Sequence, residues 1–380
     1  MSKARQLADN GAATPNRNLI INGAMNVAQR GTSLAIVHDG TSNGYTCDRW
    51  LLQEVQHDQL EGTLAQVAVT DLPEFNNALK WTTTEPESAI AANEDINICQ
   101  KIEAQNCQRL AFGLSGANKT TLSFYVKSSV TGTYGVNFYK ADSAGDLTSK
   151  NFTSTYTINS ANTWEKKTIA VVADTSSSGA IVDDTGEGIR ISWFLGTGSD
   201  FTSQNTSTAW TDYANSGWAY GHAQNGVATT DNATWFLAGV QLEVGEAATP
   251  FEHKTFAQDL HECERYYQRI AATSDAYKRF GNLFAQSATL ALVQIPLTQT
   301  LRAIPTIVST GTAANYGVEH ASTVTPVNSA LSIKTNSDDG TQSPHVYIST
   351  TVGSGLTTGQ GGVLLANNNT SAFVGIDSEL

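Results

Sequence analysis

WFLAGVQLEVGEAATPFEHKTFAQDLHECERYYQRI, residues 235–270, joins two hydrophobic periods. From Trp235 to Glu243 the side chains alternate, with Phe236, Ala238, Val240 and Leu242 on one face and Gly239, Gln241 and Glu243 on the other, as in a half-buried strand. Gly245 and Pro250 break that ladder. Beyond them Phe256, Leu260, Cys263, Tyr267 and Ile270 recur at steps of four and three, which predicts an amphipathic helix with one apolar stripe. Asp259, Glu262, Arg265 and Arg269 fall off the stripe.

Outward from this stretch the sequence stays β-like. Residues 19–25, LIINGAM, form an apolar run broken at Asn22-Gly23, and Arg49-Trp50-Leu51-Leu52 opens another. Alternation recurs at 96–102, 122–126, 134–138 and 189–195, with reversals at Thr131-Gly132, Ala144-Gly145 and Thr185-Gly186. Strands and helices do not alternate as they must in a parallel sheet, and no fixed repeat appears. The prediction is an antiparallel sandwich with one wet face. After residue 271 apolar runs return at 289–295, 306–309, 331–334, 345–349, 362–365 and 373–376, separated by loops rich in Gly, Thr, Ser and Asn.

The run at 236–270, together with NLIINGAMNVAQRGTS at 18–33, resembles the tail-fibre and receptor-binding proteins of tailed bacteriophages, marine ones in particular. That resemblance implies a jelly roll like a carbohydrate-binding module, closed by the 235–244 strand, with the helix leading into a C-terminal β domain. The fold class expected is therefore mainly β. A virion-docking segment with a short helix covers residues 1–15, a β-sandwich 16–252, an amphipathic connecting helix 253–271, and a smaller C-terminal β tip domain 272–380. In modules of this kind the sequence after the first Asn-Gly is often acidic and helps hold a structural calcium. Here Ala24 and Met25 stand there, and neither cofactor nor metal is expected.

Composition bounds the function independently. The 380 residues suffice for two or three domains, and 15% charged residues with 31 glycines suit many short strands and turns. A formal net charge of −13 without a Lys/Arg cluster argues against nucleic acid as a partner. Cys47, Cys99, Cys107 and Cys263 show no CxxC spacing and read as reduced core thiols. MSKARQLADNG at the start is polar and lacks an apolar segment, and no run of apolar residues is long enough to cross a bilayer. Neither secretion nor membrane insertion is expected; assembly in a host cytoplasm and residence in a virion tail fit the pattern. Ser2 caps a short predicted helix over 3–9 that stops at Asn10-Gly11.

Catalytic signatures are missing. HExxH and GxxxxGK[ST] do not occur, the GxSxG match GTSNG at 40–44 lies in the polar, Gly-rich loop between the first two apolar runs and not on a strand-to-helix elbow, and the seven histidines are scattered. A glycosidase needs two carboxylates held across the scissile bond. The acidic pairs Glu85/Glu87, Glu94/Asp95 and Asp183/Asp184 with Glu187 all lie in polar, turn-like sequence and read as solvated loop charges. The 183–187 run offers oxygens for calcium but not the register of an EF-hand loop, and reads better as a hairpin turn.

The binding candidate is the aromatic stretch 210–222, with Trp210, Tyr213, Trp218, Tyr220 and His222 interleaved by small polar residues. Sugar C–H faces stack on such rings while hydroxyls bond to Asp, Asn and His. Trp218 and Tyr220 equally suit alternate core positions of one strand, and the glycine-rich loop 353–362 is a rival contact surface. The sequence thus points to a non-enzymatic homotrimeric tail fibre that binds a host surface glycan. Phe256, Leu260, Cys263, Tyr267 and Ile270 would meet their copies on the threefold axis, and the N-terminus would dock on a tail or adaptor protein. The competing readings are a depolymerising tailspike, a structural collar or adaptor of the tail, and the binding module of a secreted enzyme.

Overall fold

The computed structural model describes residues 16–37, 43–141, 148–334 and 340–380; the helix expected at 3–9 and the Ala144-Gly145 turn lie outside them. The chain divides into two compact units, one comprising the residues up to Asp259 with Leu380, the other Leu260 to Glu379. The boundary falls inside the helix Phe256–Glu264.

The first unit is built from β1 (Ser33–Ile36), β2 (Gly44–Tyr45), β3 (Leu51–Val55), β4 (Glu61–Ala68), β5 (Asn77–Glu85), β6 (Asp95–Glu103), β7 (Thr120–Ser128), β8 (Gly132–Lys140), β9 (Lys150–Ile158), β10 (Glu165–Val171), β11 (Glu187–Thr197), β12 (Thr211–Asp212) and β13 (Thr234–Val244). They form two antiparallel sheets, ordered β1-β4-β5-β13-β7-β10 and β12-β9-β8-β11-β6-β3-β2. The chain passes repeatedly from one sheet to the other, giving the expected jelly-roll sandwich. Inward residues of both sheets share one core, in which the Phe124 ring of β7 meets Tyr156 of β9 at 5.1 Å and Trp193 of β11 at 5.8 Å. Burying each such side chain stabilises the fold by about 1.5–3 kcal/mol. Strands β4, β5, β9 and β10 had no clear apolar signal. In β10, for example, Glu165, Lys166, Lys167 and Thr168 precede Ile169 and Val171, and only the last two reach the core.

Strand β13 forms as expected, but its faces differ from simple alternation. Trp235 and Leu237 point into the main core with Val240 and Leu242, whereas Phe236 and Ala238 pack on the opposite side near Phe75. The register against β7 shifts between Ala238 and Gln241, and Gly239 sits there at φ +58°. A bulge adds one residue and so flips the parity of everything beyond it. Glycine is required twice over: a Cβ at Gly239 would lie 2.5 Å from the Phe75 ring.

The run 19–25 is not a strand. Leu19 and Ile20 are buried, but residues 21–24 form a turn. Asn18 and Asn22 capture the backbone bonds a ladder would use: Asn18 Oδ1 accepts from the N–H groups of Ile20 and Leu242, and Asn22 Oδ1 accepts from those of Asn26 and Val27. Gly23 lets this turn press onto β13, where its carbonyl accepts the Val240 N–H and a Cβ would meet Val240 O at 2.2 Å. The four cysteines are buried thiols.

The helix begins where a capping box places it. Thr255 Oγ1 accepts the Gln258 N–H at 3.3 Å, and Gln258 Oε1 accepts the Thr255 N–H at 2.9 Å. It ends at Glu264, far short of residue 270, and Tyr267–Ala271 is a strand. The expected stripe is therefore not formed. Phe256 is 59% exposed, Cys263 and Tyr267 are buried, and Tyr267 and Ile270 lie on the strand. Side-chain spacing suited a helix, but pairing with the strand at 373–377 supplies hydrogen bonds and burial that a few more helical residues would not. Two of the five residues assigned to a threefold axis are thus enclosed in their own unit.

In the second unit that strand, β14, belongs to a sheet ordered β14-β23-β17, with β17 (Thr306–Ser309) and β23 (Phe373–Asp377). A larger sheet, ordered β19-β18-β22-β15-β16-β21-β20, comprises β15 (Arg279–Ala285), β16 (Leu290–Pro296), β18 (Tyr316–His320), β19 (Thr323–Pro326), β20 (Ser332–Ile333), β21 (His345–Thr351) and β22 (Gly361–Ala366). A common core joins the two sheets, and Tyr316 Oη of β18 donates to Phe373 O of β23 at 2.6 Å. The six strands expected here are present; β14, β15, β18 and β19 are additional.

Candidate functional site

The outward face of the seven-stranded sheet in the first unit forms the floor of a cleft of about 500 Å³. Alternation decides what reaches it. On β6, Ile96 and Ile98 point into the core and Asn97 outward; on β11, Ile189 and Ile191 point in and Arg190 out; on β8, Phe138 points in and Tyr139 out. Arg190 and Tyr139 are directly opposed across the β11–β8 ladder, and the guanidinium lies 5.3 Å from the Tyr139 ring centroid. Two Glu187 bonds of 2.9 Å hold Arg190 in place.

One wall comes from the loop 198–225. Tyr213 and Trp218 meet Tyr139 edge to face, with centroids 5.4 and 5.9 Å away. The Trp218 indole N–H points at Asp95 Oδ2 at 3.3 Å, and Asn97 Nδ2 donates to the same oxygen at 2.7 Å. Burial pushes the Asp95 carboxyl up to about 7, against the pull of those two hydrogen bonds. Asn97 Oδ1 is buried and has no hydrogen-bond partner among the described residues. Gln53, Gln56, Asn93 and Asn215 complete a polar rim. Rings with exposed edges beside amide, carboxyl and guanidinium groups are the chemistry that holds a sugar.

The structure separates the five aromatic-stretch candidates. Tyr213, 43% exposed, and Trp218, 9% exposed, line the cleft. Trp210 belongs to the core, edge to face with Phe112, its indole N–H donating to Val172 O at 2.8 Å. His222 is buried: Nδ1 accepts the Gly135 N–H at 3.0 Å, and Nε2 lies 3.1 Å from Asn225 Oδ1. Tyr220 is half-buried and does not line the cleft. Tyr139, Arg190, Asn97 and Asp95 were missed as site residues. The available signal was that outward positions of neighbouring strands carry an aromatic, a cation and an amide at once.

The acidic pairs need correction. Glu87, Glu94 and Asp95 are 2%, 4% and 1% exposed, not solvated, because the β5–β6 connection folds inward, with Glu87 N–H bonded to Ala228 O and Gly198 N–H to Glu94 O. Glu85 is exposed. Residues 183–186 form a bend, with Asp184 Oδ1 accepting the Gly186 N–H at 2.8 Å, but not the expected hairpin turn, because the strands before and after it, β10 and β11, lie in different sheets.

No protein-family model matches the chain, and no curated protein does. Among solved structures it is similar to a carbohydrate-binding module, CBM4, at 16% identity over 59% of this chain and 98% of that one, with a TM-score of 0.28. A family 11 carbohydrate-binding module from Clostridium thermocellum, in complex with a β-1,3-1,4-mixed-linked tetrasaccharide, matches at 8% identity over 58% and 99%, with a TM-score of 0.27. The enzymatically active domain of bacteriophage CBA120 tailspike protein 4 matches at 12% identity, 61% of this chain and 22% of that one, with a TM-score of 0.31. These identities and TM-scores mark a distant likeness.

Proposed function

We propose that the protein is a non-enzymatic tail fibre of a tailed bacteriophage that attaches to a host surface glycan through the cleft of its sandwich. The observation that carries the glycan reading is the convergence of Tyr139, Tyr213 and Trp218 with Asn97, Asp95 and Arg190 on one concave face. The virion assignment is supported by the resemblance of residues 18–33 and 236–270 to phage fibres. Among the cleft-lining residues the carboxylates are Asp95, buried, and Asp200, exposed. Placing the contact in the cleft makes the loop at 353–362 dispensable for it.

The test is adsorption competition: purified protein is added to host cells before phage, and is separately titrated onto isolated host polysaccharide. Protein with Tyr139→Ala and Tyr213→Ala should neither compete nor bind, while Thr357→Lys with Thr358→Lys should do both. Loss with the loop pair alone moves the contact to the second unit. New reducing ends in the polysaccharide identify a depolymerase instead, and failure of the unaltered protein to bind cells identifies a structural collar.

A further inference from the structure

Three buried side chains from two connections converge beside the cleft. His57 follows β3, Glu87 follows β5 and Glu94 immediately precedes β6. His57 Nδ1 lies 3.6 Å from Glu87 Oε2 and 3.6 Å from Glu94 Oε2, at side-chain exposures of 0%, 2% and 5%. The candidate ligand atoms all fall within 4.8 Å of one another. Among the described residues, neither ring nitrogen of His57, nor Glu87 Oε2, has a hydrogen-bond partner.

The spacing decides between two accounts. A hydrogen bond from imidazole to carboxylate would bring N and O to about 2.7–3.2 Å. Two ligands each about 2.1 Å from a tetrahedral ion stand about 3.4 Å apart. The observed separations match the second geometry. Charge points the same way, since among the described residues no Lys or Arg pairs with either glutamate, and buried carboxylates are costly unless a cation meets them. The backbone is already braced: Ala91 N–H donates to Glu94 Oε2 at 2.7 Å, Ser88 N–H to Gln59 Oε1 at 3.2 Å, and Glu87 N–H to Ala228 O at 2.9 Å.

We propose that His57, Glu87 and Glu94 form a site for one first-row divalent cation of the zinc type. One imidazole and two carboxylates suit zinc, whereas calcium takes six to eight oxygens. The ion ties the β3–β4 connection to the β5–β6 connection. Both connections feed the cleft, because Gln56 and Asn93 line its rim and flank His57 and Glu94 in sequence. The site stands on its own geometry, whether or not the cleft binds sugar.

The experiment strips the full-length protein with EDTA and titrates it with Zn2+ and with Ca2+ by calorimetry, alongside thermal melts. One Zn2+ should bind per chain and raise the melting temperature, and Ca2+ should not. Glu87→Gln and His57→Ala should each weaken Zn2+ binding by more than the roughly 100-fold that loss of an outer-shell partner produces. Asp231→Asn, an exposed carboxylate elsewhere, should change nothing. Absent Zn2+ binding, or binding indifferent to both substitutions, overturns the proposal. If the variants do not fold, the His57 imidazole resonances of the unaltered protein decide. They must shift on adding one equivalent of Zn2+, and unshifted resonances overturn the site.

Discussion

Tyr213 and Trp218 share the cleft wall but carry different structural duties. Tyr213 is 43% exposed, and its hydroxyl donates to Asn215 Oδ1 at 2.6 Å. Trp218 is nearly buried, packed on Phe194, with its indole N–H on Asp95. Tyr213→Ala should therefore weaken glycan binding by about 0.5–1.5 kcal/mol beyond lost contact area, with an unchanged melting temperature. Trp218→Ala should weaken binding and also destabilise the fold by about 3 kcal/mol. Calorimetry and melts on both variants check this, and a matching loss of stability in Tyr213→Ala counts against the assignment. His222 carries a second expectation. Its burial holds the folded pKa at about 4 against 6.5, and Nδ1 is already occupied as an acceptor. Between those values the unfolded chain binds the extra proton, so stability present above pH 6.5 is lost as pH falls toward 4, by on the order of 3 kcal/mol. Denaturant unfolding at pH 7.5 and 4.5 should show a smaller pH difference for His222→Gln; an equal difference rejects His222 as the source.

At the scale of elements, the bulge in β13 does what no side-chain pattern announces. By holding Gly239 at positive φ it turns Trp235 and Leu237 inward before, and Val240 and Leu242 inward after, so both halves of one strand feed the same core. Gly239→Ala should destabilise the first unit by about 1–2 kcal/mol from the left-handed backbone alone, and by more as Phe75 is displaced. Phe75 packs against Tyr125 and Phe251, which limits how far it can yield. Thermal melts test this, and a loss under 0.5 kcal/mol would mean the bulge migrates. The apolar alternation of β13 was legible because its residues are strongly hydrophobic; the phase reversal was not, since a bulge is a backbone event marked by one glycine among many. The helix shows the converse. Thr255 and Gln258 start it locally, whereas its end is set by the partner strand β23, more than a hundred residues away in sequence.

At the scale of the whole molecule, hydrophobic period and turn chemistry determined that this chain is antiparallel β throughout, with a sandwich first, a β unit after it and a helix at the junction. Those features are read from neighbours in sequence, because strand parity and turns are local consequences of backbone sterics. The aromatic stretch 210–222 was also legible as a binding candidate, and it contributes Tyr213 and Trp218 to the cleft. Tertiary structure alone decided the rest. It brought Arg190 opposite Tyr139, set Asp95 under Trp218, and gathered His57, Glu87 and Glu94 from two connections into one buried cluster. Polar residues between strands look alike in sequence whether they end in water or in the interior. Which of them are buried depends on the path of the whole chain, and burial is what gives a carboxylate or an imidazole its chemistry.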